Sequence, residues 1–366
     1  MPEPSVLEHL RGQLIRLCDV AGIDPATPVE LLTELLDSHG SDSVAHPPVW
    51  PSEIADDHTP VEFSLAYSKS EPPTLRLLCE AFGSPPGVRT NMDAAQKFIG
   101  NQVGRRDLSL SRLESVQDLF ATDYPHGPFA LWCSLVFRSQ RSPEFKVYFN
   151  PELKGVDTAP LLVSAALDRL GLGGSYQGMV DRAVRPGELG RSDRLTFFAL
   201  DLHDGPDARV KLYLTHYDAD VADMVRAAGL VDGVDTGLVA DFCAAAGGTR
   251  RFAGRPLVGS YTLSVGADRP IGYSIYVPIR GYVNDDEEAR DRVAGLLNRY
   301  GYDGAQLDRA IAAVTGRPLR AGAGLIAHVS LRLGPPRPGL SVYLSAEAYR
   351  VTPPRPRHQS ATPTSV

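Results

Sequence analysis

LTFFALDL (Leu195–Leu202) and RVKLYLTH (Arg209–His216) carry strand periodicity on either side of a short turn containing Gly205 and Pro206. In the second stretch Val210, Leu212 and Leu214 share one face while Arg209, Lys211 and Tyr213 share the other, the period of two expected of a half-buried β-strand. Two such runs joined by a short loop read as a hairpin. Helical patterns at Ala159–Leu170 and Ser175–Ala183 precede the hairpin, and two more, Ala219–Ala228 and Thr236–Ala246, follow it. A second hairpin then begins, LVGSYTLSV (Leu257–Val265) with YSIYVPI (Tyr273–Ile279).

The unit recurs along the chain. Toward the N-terminus FALWCSLVFR (Phe129–Arg138) pairs with FKVYFN (Phe145–Asn150), and VEFSLAYS (Val61–Ser68) with TLRLL (Thr74–Leu78). Toward the C-terminus helices at Asp285–Tyr300 and Gln306–Val314 lead into LIAHVSLRL (Leu325–Leu333) and LSVYLSA (Leu340–Ala346). The remaining helices are expected at Val6–Ala21, Pro28–His39 with Thr27 as N-cap, Met92–Val103 and Leu110–Ala121. First strands start at Val61, Phe129, Leu195, Leu257 and Leu325, intervals of 68, 66, 62 and 68 residues, which predicts five ααββ-type repeats.

Ten antiparallel strands in an open sheet tend to curl or split, and closure removes exposed edges. The expected fold is therefore α+β: a ten-stranded antiparallel barrel inside a ring of helices, with the polar strand faces turned into a lumen. Residues 1–351 are read as this single domain. The stretch from Thr352 to Val366, TPPRPRHQSATPTSV, is expected to be a disordered tail because it has almost nothing to bury.

Composition narrows the function. With 37 Lys and Arg against 44 Asp and Glu, the net charge of -7 argues against nucleic acid as a partner. Cys18, Cys79, Cys133 and Cys243 are far apart, so neither a zinc ribbon nor a disulfide framework is written, and a reducing, cytoplasmic setting is expected. No apolar run approaches the roughly 18 residues of a membrane span. Monomer and homodimer remain open.

The inward set is Glu62, Arg76, Lys146, Tyr148, Arg209, Lys211, Tyr213, Tyr276 and Tyr343. Converging Arg and Lys suit phosphate oxygens. Tyrosine faces stabilise a neighbouring carbocation through the ring quadrupole and shield it from water. An allylic diphosphate supplies both anion and cation.

Glu62 in HTPVEFSLAY, the Lys-x-Tyr of KVYFNP, the Arg-x-Lys-x-Tyr of RVKLYL and the Tyr of LSVYLS resemble the aromatic prenyltransferases of the dimethylallyltryptophan synthase type, over nearly the whole chain apart from the tail. Short loops and the ALWCSL and GYSIYVP segments are similar to the bacterial branch, which prenylates tryptophan or indolactams. The resemblance implies the α-β-β-α prenyltransferase barrel and transfer of dimethylallyl from its diphosphate to the indole of L-tryptophan or a derivative, with no cofactor and no Mg²⁺ requirement. It implies that Glu62 accepts the indole N–H as the catalytic acid–base residue. It also implies that Arg76, Lys146, Arg209 and Lys211 bind diphosphate, and that Tyr148, Tyr213, Tyr276 and Tyr343 shield the cation. A phenolic acceptor, or a non-catalytic carrier of prenyl diphosphates, are the alternatives; the carboxylate at position 62 speaks against the carrier. Two departures stand out: Ser274 where many relatives carry Gln, and an aliphatic residue near Leu331 or Leu333 where a further shielding tyrosine is expected.

NDDEEARD (Asn284–Asp291) looks like an acidic magnesium motif but reads as a helix start, with Asn284 as cap and acids complementing the helix dipole. GLGGSYQG (Gly171–Gly178) joins two helices and follows no strand, so it is not a dinucleotide loop. Trp132 and His328 are lumen candidates whose face the alternation leaves open.

Overall fold

Alternating side chains make one face of every strand apolar, and the computed structural model, which describes residues 3–67, 69, 71–334 and 338–356, turns all of those faces outward. The strands are β1 (Val61–Tyr67), β2 (Thr74–Cys79), β3 (Leu131–Phe137), β4 (Glu144–Phe149), β5 (Asp193–Asp201) and β6 (Arg209–His216). After a two-residue pair, β7 (Ala219–Asp220) and β8 (Arg251–Phe252), come β9 (Leu257–Ser264), β10 (Gly272–Val277), β11 (Ile326–Leu333) and β12 (Gly339–Ser345). Ten of them close in the order β1-β12-β11-β10-β9-β6-β5-β4-β3-β2, every neighbour antiparallel. Sequential hairpins joined edge to edge give this order, and the pairing of β1 with β12 leaves no unpaired edge.

The helices are α1 (Val6–Ala21), α2 (Ala26–Leu36), α3 (Val88–Gly100), α4 (Ser111–Glu114), α5 (Ala159–Arg169), α6 (Gln177–Ala183), α7 (Val221–Ala228), α8 (Thr236–Gly247), α9 (Asp286–Tyr300) and α10 (Gly304–Val314). Their apolar stripes cover the barrel. Leu10, Leu14 and Leu17 of α1 share one core with the outward residues Phe63, Leu65, Leu77, Val147, Leu212, Ile275 and Val342, all fully buried. Each such side chain contributes roughly 1.5–3 kcal/mol by leaving water, so the hydrophobic core is the layer between barrel and helices. The lumen is left free for polar groups. At Gly259 on β9 the outer layer is so tight that a Cβ would meet the Tyr273 hydroxyl at 2.6 Å.

Helix ends depart from expectation where a side chain caps differently. Helix α2 starts at Ala26 rather than Pro28, because Asp24 accepts from the Ala26 N–H at 3.0 Å. Helix α9 is capped by Asp285, which accepts from the Glu288 N–H at 2.9 Å, and Asn284 lies one residue outside. The helix expected over Leu110–Ala121 breaks into α4 and a 3-10 turn at Gln117–Phe120. That bend brings Phe120 onto Phe149 and Phe198, with ring centroids 4.5 and 5.5 Å away. At the C-terminus, contacts continue past 351. The Ala323 N–H donates to Thr352 O, the Arg355 N–H to Asn284 O, and the Arg355 guanidinium to Gly281 O and Arg280 O. Residues 357–366 of the expected tail lie outside the described residues. Among the described residues no helix is long and apolar enough to cross a membrane.

Candidate active site

The lumen encloses about 550 Å³, within the roughly 300–1,000 Å³ of small-molecule sites. All nine expected residues line it: Glu62 on β1, Arg76 on β2, Lys146 and Tyr148 on β4, Arg209, Lys211 and Tyr213 on β6, Tyr276 on β10 and Tyr343 on β12. Strand pairing arranges them in zones, because tilted strands let residues from distant hairpins meet.

One zone is cationic. Asp201, at the end of β5, takes an ion pair from Lys146 Nζ and accepts from Arg209 Nε at 2.9 Å. Burial raises a carboxyl pKa, but Lys146 and then Arg209 outweigh it and hold Asp201 well below the usual range. Burial pulls Lys146 down to about 8, opposed by Asp201 and reinforced by the neighbouring Arg209 and Lys211. Burial likewise lowers Lys211. The side chains of Arg76 and Lys211 make no hydrogen bond or ion pair with any described residue, so their donors face the lumen. Arg332 on β11 joins this zone, where Arg76 and Arg209 add to burial in lowering its pKa.

Next to the cations runs an aromatic girdle. Ring centroids step from Tyr148 to Tyr213 in 5.9 Å, to Tyr276 in 5.7 Å, to Tyr343 in 6.0 Å and to His328 in 6.1 Å. Burial pushes the Tyr148 phenol up to about 12, and Tyr343 is raised by the same cause. Tyr276 moves the other way: against burial, Lys211 lowers it. The rings present electron-rich faces beside the cationic zone, and those of Tyr148 and Tyr343 do so as neutral phenols.

The third zone holds Glu62, only 7% exposed, whose carboxylate makes no hydrogen bond or ion pair with any described residue. Burial pushes it up to about 7, countered by Arg280 and helped by Asp56. A small apolar cluster of Ile54, Phe129 and Trp132, with Leu78, Tyr148 and Phe197 against it, forms the wall here; Leu78 is the register partner of Glu62. Phe129 stacks on Trp132 at 3.9 Å. An uncompensated carboxylate beside flat aromatic walls is suited to a planar molecule with one N–H to donate.

Trp132 and His328, the lumen candidates whose face was open, both turn inward. On β11 the inward residues are His328, Ser330 and Arg332, so Leu331 and Leu333, which were to replace a shielding tyrosine, point instead into the outer core. The histidine occupies that place in the girdle, held neutral by burial and by Arg280 and Arg255. The register shift between Ile326 and His328 is why alternation alone left the face of His328 open. Phe197 and Asp201 carried no sequence signal, because the β5–β6 register shifts between Leu195 and Phe197. Ser274 is buried and lines the lumen.

The acidic run at the start of α9 is used up structurally. Asp286 pairs with Arg317 and accepts from the Gly324 and Leu325 N–H groups, Glu287 pairs with Arg320, and Glu288 pairs with Arg292. Among the described residues no group of three or more His, Cys, Asp or Glu side chains is arranged to hold a metal.

Residues 32–310 match the family model for tryptophan dimethylallyltransferase. A solved structure of a 6-dimethylallyl tryptophan synthase is 67% identical, with a TM-score of 0.94, covering 97% of this chain and 100% of that one. The 6-dimethylallyltryptophan synthase of Micromonospora olivasterospora, solved with DMASPP and Trp, is 68% identical with a TM-score of 0.93, covering 96% of this chain and 99% of that one. The prenyltransferase PriB, in ternary complex with L-tryptophan and dimethylallyl thiolodiphosphate, is 37% identical with a TM-score of 0.88, covering 96% and 99% of the two chains.

Proposed function

The chain belongs to the tryptophan dimethylallyltransferase family, and from that premise we propose that it transfers dimethylallyl from its diphosphate to C6 of the indole of L-tryptophan, without a metal ion, in the cytoplasm. The observation that carries this reading is the segregation of the lumen: a cluster of cations in which Arg76 and Lys211 have no partner among the described residues, a girdle of tyrosines, and the Glu62 carboxylate, likewise without a partner among the described residues, beside an aromatic wall. The choice of C6 leans on identities of 67% and 68% to two enzymes named for that position.

Arg76, Lys146, Arg209 and Lys211 take the diphosphate oxygens and stabilise the charge that grows as the allylic C–O bond breaks. They supply the neutralisation that a metal ion provides elsewhere. Tyr148, Tyr213, Tyr276 and Tyr343 hold the dimethylallyl cation by their ring faces and keep water away. Glu62 accepts the indole N–H. Attack through C6 places positive charge on C3a, which the N1 lone pair reaches through the C2=C3 bond, so a carboxylate on N1–H stabilises the transition state. Loss of the C6 proton to the departing diphosphate restores aromaticity.

The test is incubation of the protein with dimethylallyl diphosphate and L-tryptophan, in buffer and in EDTA, with NMR of the product. A 6-dimethylallyl product formed at equal rates in both supports the reading. Another ring position corrects the regiochemistry, and turnover abolished by EDTA and restored by Mg²⁺ overturns the metal-independent step.

A further inference from the structure

Glu80 stands one residue past β2 and is 1% exposed, yet it is not among the residues that line the lumen. Its backbone N–H donates to Pro60 O at 2.9 Å, which pins it beside the start of β1. Its carboxylate collects donors: Ser52 Oγ at 2.6 Å and, from α3, Asn91 Nδ2 at 3.2 Å. Burial raises its pKa, and Ser52, Asn91 and the indole N–H groups of Trp50 and Trp132 oppose the rise.

Those two indoles belong to the chain's only tryptophans. Nε1 of each is buried and has no hydrogen-bond partner among the described residues. A buried N–H without an acceptor costs free energy, and Glu80 is the carboxylate within its reach. Strand register points the same way. β2 and β3 pair Leu78 with Ser134 and Cys79 with Cys133, so the next step sets Glu80 opposite Trp132.

Trp132 belongs to the apolar cluster beside Glu62, with Ile54 and with Phe129 stacked on it. Stacking fixes the plane of an indole but lets it turn within that plane, whereas a hydrogen bond from Nε1 sets the turn. Ile54 is tied to the same carboxylate, because its N–H donates to Ser52 Oγ at 3.5 Å. Glu80 thus has a hold on two of the three residues of the wall.

We propose that Glu80 is a positioning residue: its carboxylate accepts the Trp132 indole N–H, fixes the wall on which the acceptor lies, and so decides which ring carbon meets the dimethylallyl cation. The proposal rests on the reading that tryptophan's indole is the acceptor. With N1–H on Glu62 the acceptor can still pivot about that bond, and the wall stops it. A misplacement of about 1 Å at the reacting carbon is worth about 100-fold in rate.

The experiment uses the full chain with dimethylallyl diphosphate and L-tryptophan and follows the ratio of the main ring isomer to all other prenylated products. Wild type, Glu80→Gln, Trp132→Phe and the double variant are compared. An amide offers one acceptor oxygen where a carboxylate offers two, so Glu80→Gln should lower the ratio by about 10-fold, while hydrolysis of dimethylallyl diphosphate stays within a few-fold. Trp132→Phe removes the N–H, so adding Glu80→Gln to it should change the ratio no further. A Glu80→Gln enzyme that is slower at an unchanged ratio overturns the proposal, because that is packing alone. Equal losses of ratio in both backgrounds overturn it too, since Glu80 then does not act through Trp132. Where Glu80→Gln does not fold, the wild type decides. Of its two indole N–H signals in a proton–nitrogen correlation spectrum, the one retained in Trp50→Phe should lie downfield of free indole and be protected from exchange; a free-indole position with fast exchange overturns the proposal. A wild type that alkylates no indole fails at the acceptor reading itself, and the role in selectivity falls with it.

Discussion

Each end of the lumen holds one buried carboxylate, and the two are driven in opposite directions. Burial alone raises both. At Asp201 the adjacent Lys146 and Arg209 overwhelm it, so the group stays ionised and acts as a brace for two cations. At Glu62 no cation among the described residues forms an ion pair, and burial pushes the carboxyl up to about 7. Partner geometry, rather than depth, decides which carboxylate is structural and which is available for a substrate; divergent environments of this kind are how acid–base roles are assigned.

The largest effect expected is at the free carboxylate. Glu62→Gln keeps shape and removes charge, so transfer to tryptophan should drop by about 10²–10⁴-fold, while hydrolysis of dimethylallyl diphosphate falls much less. Measuring both rates on one variant checks the division of labour between the ends; a joint collapse erases it. At the cationic end, Lys211→Ala or Arg76→Ala removes an unpartnered donor and should weaken diphosphate inhibition by about 10- to 100-fold per charged hydrogen bond lost. Normal inhibition by diphosphate would put that side chain outside the anion site.

The pH profile sharpens the contrast next. Glu62 works as a carboxylate, so kcat/KM should rise with pH through about 7, and Lys146 works as an ammonium, so it should fall through about 8. Asp201 raises the Lys146 pKa; Asp201→Asn should therefore move the alkaline limb toward neutrality and leave the acid limb in place. An unmoved alkaline limb would mean that Lys146 is not the titrating group. The remaining effect is on stability. A folded-state pKa raised from 4.5 to about 7 means that Glu62 favours the fold when neutral and loses that contribution as pH rises through about 7. Glu62→Gln should accordingly be stabilised relative to wild type by about 3 kcal/mol at pH 8 and by about 1 kcal/mol at pH 5, read by thermal or urea unfolding. Equal stability at both values would show that the carboxylate is better solvated than its burial implies.

Strand periodicity is a local property, and it was legible. RVKLYLTH begins and ends where β6 does, and the inward positions of Lys146, Tyr148, Tyr276 and Tyr343 follow from alternation once a closed barrel is inferred. Positions set by irregularity were not. A register shift in β5 turns Phe197 and Asp201 inward, and Arg280 reaches the lumen from a turn where no alternation applies. The expected N-cap at Asn284 missed by one residue, because Asn and Asp cap alike and only the backbone geometry chooses Asp285.

By itself the sequence determined the ten strands, their outward apolar faces, and which charged and phenolic side chains would share one interior, because a period of two commits every second residue to the same side. Only the tertiary structure decided which of those groups touch. That Asp201 is paired while Glu62 has no partner among the described residues, and that His328 continues the girdle, depend on contacts between segments far apart in the chain, and pKa values and binding follow those contacts rather than residue type.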